Sequence, residues 1–547
     1  MTVGQVSRRG RRWAFALVVV ALLAELAVAM SATAVQQSPT IDEPVYVGTA
    51  VVYLEQHSLR YNPEHPPLGK LIIATGLAFA DVHLDPAFAG DQAQLGRHVL
   101  YESGGDPSRL LLAARLPVMV LTVLFGLVVF LFARDLTGPA GGLVALALYA
   151  FSPDVIAHGS LATLDVPVAG FLLTSAWLLW RARRRPVRYL PLAGLALGAA
   201  LATKMSALAA VPVLPLLVVL SVREARRASG ANPDRRARLL EPLAAVAGVV
   251  LIAIAVVWIS YLVVDPRLRW EPPSGLPAAH GVRALADWLP LPRPYRDGLR
   301  VQFGFEDQVW SGFLFGRRYS GPLWYYLPAA LLVKTPLGTL ALGLAGAVAL
   351  VAVPRLRRAA PYVLVPAAVL LVAAMQSSRD LGVRYAVFVP IFLAVAAACV
   401  VDVVAVRRRW ARVATAALVV FAAASSLRTF PYYLPYSNEA FGGTAETHLR
   451  LHDSNVDWGQ DLGRLADRLG ERYPHERIWL VYKGSGVPEA YGIDAGDPLT
   501  VPAGRVRGLL VVSDSAAVKA DEGLRALIDG STPIDEVGHA ITIYRRP

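Results

Sequence analysis

The sequence predicts a polytopic α-helical membrane protein, with about 11 transmembrane helices and a small C-terminal extracytoplasmic α/β domain. Three observations carry this. Of 547 residues, 55% are apolar or aromatic and only 17% are charged, against roughly a quarter charged in a soluble protein. Apolar stretches of bilayer-spanning length recur along the chain, and the mean hydropathy is +0.47. After about residue 430 the character changes, and charged residues and glycines appear throughout. A net charge of +12 would suit a nucleic-acid partner if it formed one patch, but the basic residues are spread between apolar runs, so none is expected. The single cysteine, Cys399, excludes an intramolecular disulfide and any metal centre built on thiolates.

The apolar runs lie near 13–35, 110–133, 139–157, 161–180, 189–203, 207–222, 239–264, 324–353, 361–375, 385–405 and 411–427. Arginines gather ahead of the first run (Arg8, Arg9, Arg11, Arg12) and at alternate junctions: Arg134; Arg181, Arg183, Arg184, Arg185 and Arg188; Arg223 to Arg238; Arg355, Arg357 and Arg358; Arg407, Arg408, Arg409 and Arg412. By the positive-inside rule these are cytoplasmic. Junctions 36–109, 265–323 and 376–384 and everything past 428 then face outward. Eleven spans from an inside N-terminus put the C-terminus outside, so charge bias and span number agree. The basic start, apolar run and Ala32-Thr33-Ala34 triplet also fit a cleavable signal peptide, which would leave the remaining topology unchanged. Glu25 within the first run is expected to face other helices.

Residues 1–430 thus form the membrane unit and 431–547 the soluble one. In the latter, the apolar pieces 478–482, 508–512 and 540–544 read as strands, and 459–472 and 515–528 as amphipathic helices.

Candidate chemistry clusters on the outward side. The loop 36–109 is too long for a mere connector. It carries Asp42 and Glu43 in TIDEPVY and then YNPEHPPLGKLII, where His65 and Lys70 flank paired prolines that can start a helix. Only five of the 53 basic residues are lysines: Lys70, Lys204, Lys334, Lys483 and Lys519. Three lie in the membrane part, with Lys204 at the outer end of the fifth run and Lys334 inside the eighth. An ammonium at such depth either snorkels to lipid phosphate or meets an anion or a cavity. Arg379 and Arg384 add guanidinium groups suited to phosphate. Asp154 and Asp165 sit around the turn between the third and fourth runs, and Asp165 opens a helix. A carboxylate base with several cations, in a bundle that lipids enter, suits transfer of a group from a lipid-linked phosphate.

These pieces have a family likeness. The chain resembles the polyprenyl-phosphate-dependent glycosyltransferases of the GT-C superfamily, in particular glycosyltransferase family 39, which includes protein O-mannosyltransferases and is related to lipid A aminoarabinose transferases. The resemblance rests on IDEPVY, HPPLGK, the LD at 164–165, TKMSAL, WYYLPAALLVKTPLG, VRYAVFVP and DSNVDWGQDL, from about residue 30 to 470. It implies an inverting, single-displacement transfer from a polyprenyl-phosphate sugar to a protein, lipid or glycan acceptor, at the outer face of a bacterial plasma membrane and without a cofactor. Asp42 would be the general base, with Glu43 orienting the acceptor or tuning Asp42. His65 and Lys70 would support or contact the donor phosphate region, and Lys204 and Arg384 the phosphate or the pyranose, with Asp165, Lys334 and Tyr385 in support. The compact soluble tail departs from the protein mannosyltransferases and leaves the acceptor open.

Other signals weigh less. The DSNVDWGQD segment has oxygens at alternate positions like a calcium loop, but its glycine falls one place late and Arg464 stands where a glutamate belongs. A turn fastening the tail to the membrane unit is expected instead. KGSG at 483–486 lacks Walker geometry and reads as a strand-to-loop turn. Trp310, Tyr319, Trp324, Tyr325 and Tyr326 suit an interfacial belt or sugar stacking. No histidine pattern suggests a catalytic metal. A transporter or flippase using the intramembrane lysines is the alternative function, although its charges should reach both faces, and a non-catalytic scaffold is a third.

Overall fold

The computed structural model describes residues 3–229, 235–405 and 409–547. Arg407 and Arg408, and residues 230–234 of the Arg223–Arg238 junction, lie outside them. Every apolar run coincides with helix. The first lies in Val3–Gln36, where Glu25 is half-buried. The second and third share Pro107–Ala150, which breaks at Gly138 (φ 80°, ψ −174°) just ahead of Pro139. That backbone conformation favours glycine. Asp165–Ala182, Pro186–Thr203, Val213–Ser229 and Arg235–Val264 follow. Ala360–Ala374, Phe388–Ala397 with Val400–Ala405, and Arg409–Thr429 complete the bundle.

Among the described residues, five helices are long and apolar enough to cross a bilayer alone, or six if one bent pair is a single span. That pair corrects the expectation for the eighth run. It comprises Tyr326–Lys334 and Leu337–Ala352, bent by 118°. Thr335 is extended (φ −90°, ψ 131°), because the residue ahead of Pro336 is pushed out of helical geometry. Lys334 therefore ends a short helix and is not inside a continuous one.

The bundle packs closely through small residues. A Cβ on Gly346 would lie 2.0 Å from the carbonyl oxygen of Ala396 on the neighbouring helix, and one on Gly338 would lie 2.2 Å from that of Leu418. These backbones touch, as small residues permit in membrane bundles. Gly346→Ala is therefore expected to destabilise by about 1–3 kcal/mol through overpacking, read as a lower thermal midpoint of the detergent-solubilised protein. An unchanged midpoint would contradict the close contact.

Ion pairs group the junctions at two ends. Arg181 meets Asp135 at 2.6 Å, Arg358 meets Glu224 at 3.2 Å and Arg355 meets Asp402 at 2.5 Å, all between arginine-rich junctions. The other junctions meet each other: Arg384 and Asp42 at 2.6 Å, and Arg379 and Glu306 at 2.8 Å.

In the loop between 265 and 323, β1 (Ser311–Leu314) and β2 (Arg317–Ser320) form an antiparallel hairpin that the sequence reading missed. The tail holds β3 (Ile478–Val481), β4 (Ala495–Gly496), β5 (Gly508–Ser513), β6 (Thr532–Val537) and β7 (Ile541–Arg546), in the order β4-β3-β5-β7-β6. β3 runs parallel to β4 and β5, whereas β7 is antiparallel to β5 and β6. The three expected strands are β3, β5 and β7. Alternation along β5 explains its unbroken apolar run. Leu509 and Val511 pack with Leu462, Leu465 and Leu469 on one face, and Leu510 and Val512 pack with Leu524 and Leu527 on the other. A strand covered by helices on both faces needs apolar residues at every position. The first expected helix is Leu462–Arg472; the second is divided into Asp514–Val518 and Glu522–Asp529, where Asp521 accepts from Leu524 N as an N-cap.

Candidate active site

The long loop after the first span is mostly helical. Glu43–Glu55 begins with Pro44 in its first turn and Asp42 at its N-cap, and Pro67–Leu77 begins within HPPLGK, where Pro66 is extended (φ −63°, ψ 164°) and Pro67 opens the helix. A proline costs nothing at a first helical position, whose N–H has no partner anyway. Both helix starts border a cavity of about 730 Å³.

Asp42, His65, Asp165, Lys204, Arg384 and Tyr385 all line that cavity. Their charges form a chain. Arg384 donates to Asp42 at 2.6 Å and stands 3.9 Å from Asp165, to which Lys204 donates at 2.5 Å. The Asp42 carboxylate is 26% exposed and Asp165 only 4%, so Asp42 is the one open to a ligand. Tyr385 lies under three cations, with Arg384 4.8 Å, Lys204 5.2 Å and Arg379 5.9 Å from its ring centre. Arg379 also lines the cavity and is held by Glu306 and Gln302, each at 2.8 Å.

His65 is neutral. Burial, and then Lys204, Lys70, Arg379 and Arg384, push its pKa well below the ordinary histidine value. It is thus a hydrogen-bonding group and not a cation, and its buried Nδ1 has no hydrogen-bond partner among the described residues.

Three expected site residues lie elsewhere. Glu43 was expected beside the acceptor, but its side chain is fully buried and away from the cavity. It accepts from Arg115 Nε and Nη2 at 2.7 Å each, from the Thr40 N–H and hydroxyl, and from Ala162 N. Burial alone would raise its pKa; Arg115 and these donors hold it below the usual carboxylate value. Lys70 was expected at the donor phosphate. Its ammonium is buried and donates to Asn62 O at 2.8 Å, Asn62 Oδ1 at 3.1 Å and His65 O at 2.6 Å. An ammonium has three N–H groups, so all are used in shaping the HPPLGK turn. Burial, partly countered by Glu64, lowers its pKa to about 7. Lys334, expected in support, is buried as well. It donates to the carbonyls of Leu434 and Asn455 and stands 3.8 Å from the buried Asp154, pinning the tail segments to the bundle.

The sequence reading missed one wall altogether. The tail supplies Asp453, Trp458, Lys483 and Lys519 to the same cavity. Trp458 lies against the Arg384 guanidinium at 4.3 Å. Two signals were available: the DSNVDWGQDL motif, which holds Asp453 and Trp458, and the scarcity of lysine, because three of the five lysines line this cavity. Glu64, Asn62 and Gln92 form a polar corner, Glu64 accepting from Asn62 Nδ2 at 2.8 Å and Gln92 Nε2 at 2.9 Å. Of the aromatic group, Trp310 is on the wall, whereas Trp324 and Tyr325 are 65% and 44% exposed.

DSNVDWGQD does fasten the tail. Ile41 N donates to Trp458 O at 3.0 Å, Ser454 Oγ to Leu381 O at 2.7 Å, Val383 N to Asn455 Oδ1 at 2.9 Å, and Asn455 Nδ2 to the Tyr326 hydroxyl at 2.9 Å. Behind it Asp457 accepts from Ser515 N. Burial raises Asp457 to about 6, and raises nearby Asp514 to about 8 with help from the charges of Asp457 and Glu536. A carboxyl raised in the folded state contributes stability that is fully present below its unfolded pKa of about 3.9 and is lost as pH rises through about 8. The thermal midpoint is expected to fall between pH 6 and pH 9, and Asp514→Asn to flatten that fall. An equally steep fall in the variant would place the titration on another group.

Residues 18–263 match the sequence model of the dolichyl-phosphate-mannose-protein mannosyltransferase family. No curated protein matches the chain. Among solved structures, the chain is similar to ArnT from Cupriavidus metallidurans bound to undecaprenyl phosphate, with 14% identity over 96% of this chain and 97% of that one and a TM-score of 0.48. It is also similar to the protein O-mannosyltransferase Pmt1-Pmt2 complex of S. cerevisiae bound to the sugar donor (18% identity, 46% of this chain, 33% of that chain, TM-score 0.34). A third is the oligosaccharyltransferase AglB from Archaeoglobus fulgidus in complex with an inhibitory peptide and a dolichol-phosphate (12%, 94%, 72%, 0.43). Residues 18–263 hold the IDEPVY, HPPLGK, Asp165 and TKMSAL motifs, so the family match bears out the resemblance to the protein mannosyltransferase family of glycosyltransferases.

Proposed function

We propose that the protein transfers a hexosyl or pentosyl group from a polyprenyl-phosphate donor to an acceptor hydroxyl at the outer face of a bacterial plasma membrane, inverting the anomeric centre. The observation that carries this is the cavity itself, in which the partly open Asp42 carboxylate pairs with Arg384 and shares the lining with Lys204 and Arg379. In the step, Asp42 takes the acceptor hydroxyl proton and the acceptor oxygen bonds to the anomeric carbon. The bond from that carbon to the phosphate oxygen breaks, and its electron pair leaves on polyprenyl phosphate. Single displacement needs one base, unlike the two carboxylates of a retaining glycosidase. The cations oppose the charge that grows on the leaving phosphate. The apolar part of the wall, with Val168, Leu172, Leu208, Leu370 and Ala373, suits the first isoprene units of the carrier. His65 donates or accepts one hydrogen bond there, and the corner of Asn62, Glu64 and Gln92 offers partners for sugar hydroxyls.

A transporter fits less well, because Lys334 is consumed by carbonyls of the tail and does not line the cavity. The reading also takes residues 1–430 as the membrane unit and 431–547 as an extracytoplasmic one, with the N-terminus cytoplasmic. The test is incubation of protein-containing membranes with a set of radiolabelled polyprenyl-phosphate sugars. Label is expected to move from one donor to an acceptor only when the protein is present. If no donor is consumed, the transferase reading falls and solute or lipid transport is the next assay.

A further inference from the structure

The KGSG turn and Lys519 stand outside the mechanism just described, yet Lys483 and Lys519 line the same cavity. Lys483 follows β3, and its backbone N–H donates to Ser513 Oγ at 3.1 Å. Two residues on, Ser485 Oγ donates to Ile41 O at 2.9 Å, so the turn is tied to the residue directly ahead of Asp42. The turn fits there because Gly484 and Gly459 pass each other closely. A Cβ on Gly484 would meet the Tyr482 ring at 2.1 Å, and one on Gly459 would meet Gly484 Cα at 2.8 Å.

Lys519 arrives from the end of the helix Asp514–Val518. Both ammonium groups converge on Asp453 Oδ2, Lys483 in a short contact and Lys519 at 3.5 Å. Asp453 has a left-handed backbone (φ 56°), uncommon outside glycine, and its Oδ1 is taken by Ser454 N at 2.9 Å. One buried carboxylate therefore serves two lysines that are 29% and 28% exposed. His452 next door adds no charge, since burial lowers its pKa to about 4. Two partly exposed ammonium groups here share the Asp453 carboxylate, and the buried Asp457 behind them also draws on Lys483. In the membrane part Lys204, Arg379 and Arg384 have Asp165, Glu306 and Asp42. Those three belong to the membrane part, whereas the lysine pair hangs from the soluble unit.

We propose that Lys483 and Lys519 form an acceptor subsite that binds a phosphate or carboxylate carried next to the hydroxyl to be glycosylated, so that the acceptor is an anionic molecule. This rests on the transferase reading. The subsite holds the acceptor while its hydroxyl proton passes to Asp42; the lysines position it and exchange no atom with it.

The experiment uses the full chain in membranes, the labelled donor identified above and a titrated extract of native acceptor. Lys483→Gln and Lys519→Gln are expected to raise the acceptor KM roughly ten- to a hundredfold, the size of a lost charge-assisted hydrogen bond, with the donor KM unchanged. Lys483→Arg and Lys519→Arg keep the charge and are expected to restore most of the affinity, which a variant that merely misfolds its tail would not reveal. The labelled product is expected to bind an anion exchanger. Release by aqueous hydrogen fluoride identifies phosphate, and release by carboxyl esterification identifies carboxylate. A neutral product, a rise in donor KM in place of acceptor KM, or Gln variants that transfer like the wild type would overturn the subsite while leaving the transferase standing. A wild type that consumes no donor would remove both.

Discussion

Asp42→Asn is expected to lower sugar transfer by at least about a hundredfold, the usual cost of removing a general base, with almost no change in stability. The asparagine is isosteric and occupies the same helix N-cap, but it cannot take the hydroxyl proton. The pair is more buried on the Arg384 side, with Asp42 26% and Arg384 7% exposed, but the asparagine oxygen can still accept from the guanidinium, so little stability is lost. Arg384 keeps Asp165 at 3.9 Å and remains stacked on Tyr385 and Trp458. The measurement is single-turnover transfer of label from the accepted donor, with expression and thermal midpoint matched to the wild type. Variant and wild type transferring at the same rate would show that the base is another group.

The neighbouring acid has the opposite profile. Arg115→Leu is expected to cost about 3–5 kcal/mol, because it leaves a buried carboxylate without its cation. The pair is 1% and 0% exposed. Arg115 directs two N–H groups at Glu43 and three more at the carbonyls of Ala34 (2.6 Å), Gln37 (2.9 Å) and Ser38 (3.1 Å). All five guanidinium donors are occupied, and together they join the end of the first span, the loop that carries Asp42, and the second span. Glu43→Gln is expected to destabilise by a smaller amount, since the amide still accepts one or two of these bonds. Pairing Arg115→Leu with Glu43→Leu should recover part of the loss, because removing both charges removes the desolvation penalty. Thermal unfolding in detergent reads all three. A single Arg115→Leu variant that melts with the wild type would show that the bridge holds nothing, whereas lost transfer at full stability would return Glu43 to the chemistry.

Much of the architecture is one-dimensional and therefore legible in the residues themselves. Runs of apolar side chains become helices because a bilayer leaves no partner for backbone groups except the helix's own. The strands 478–481, 508–513 and 541–546 follow from short β-branched and leucine-rich runs bounded by glycine and charge. Rare residue types also survive translation into space, as the five lysines show. What a sequence does not carry is direction. Successive residues of a helix point about 100° apart, so at one helix start Asp42 turns to the cavity and Glu43 to Arg115. The proline after Lys334 ends one helix and starts another at 118°, which turns an apparent intramembrane cation into a clasp for the tail. The lowered pKa of His65 is likewise a tertiary effect, set by burial and then by Lys204, Lys70, Arg379 and Arg384. Most of all, Lys483 is 441 residues from Asp42 along the chain, and only the docking of the tail through Ser485 and Trp458 onto Ile41 brings the two together. The apolar helices, three of the tail strands and the membrane-side cations were legible from the residues alone, because those depend on local composition. The tertiary structure decided which charges share a cavity, because that depends on burial and packing between segments far apart in the chain.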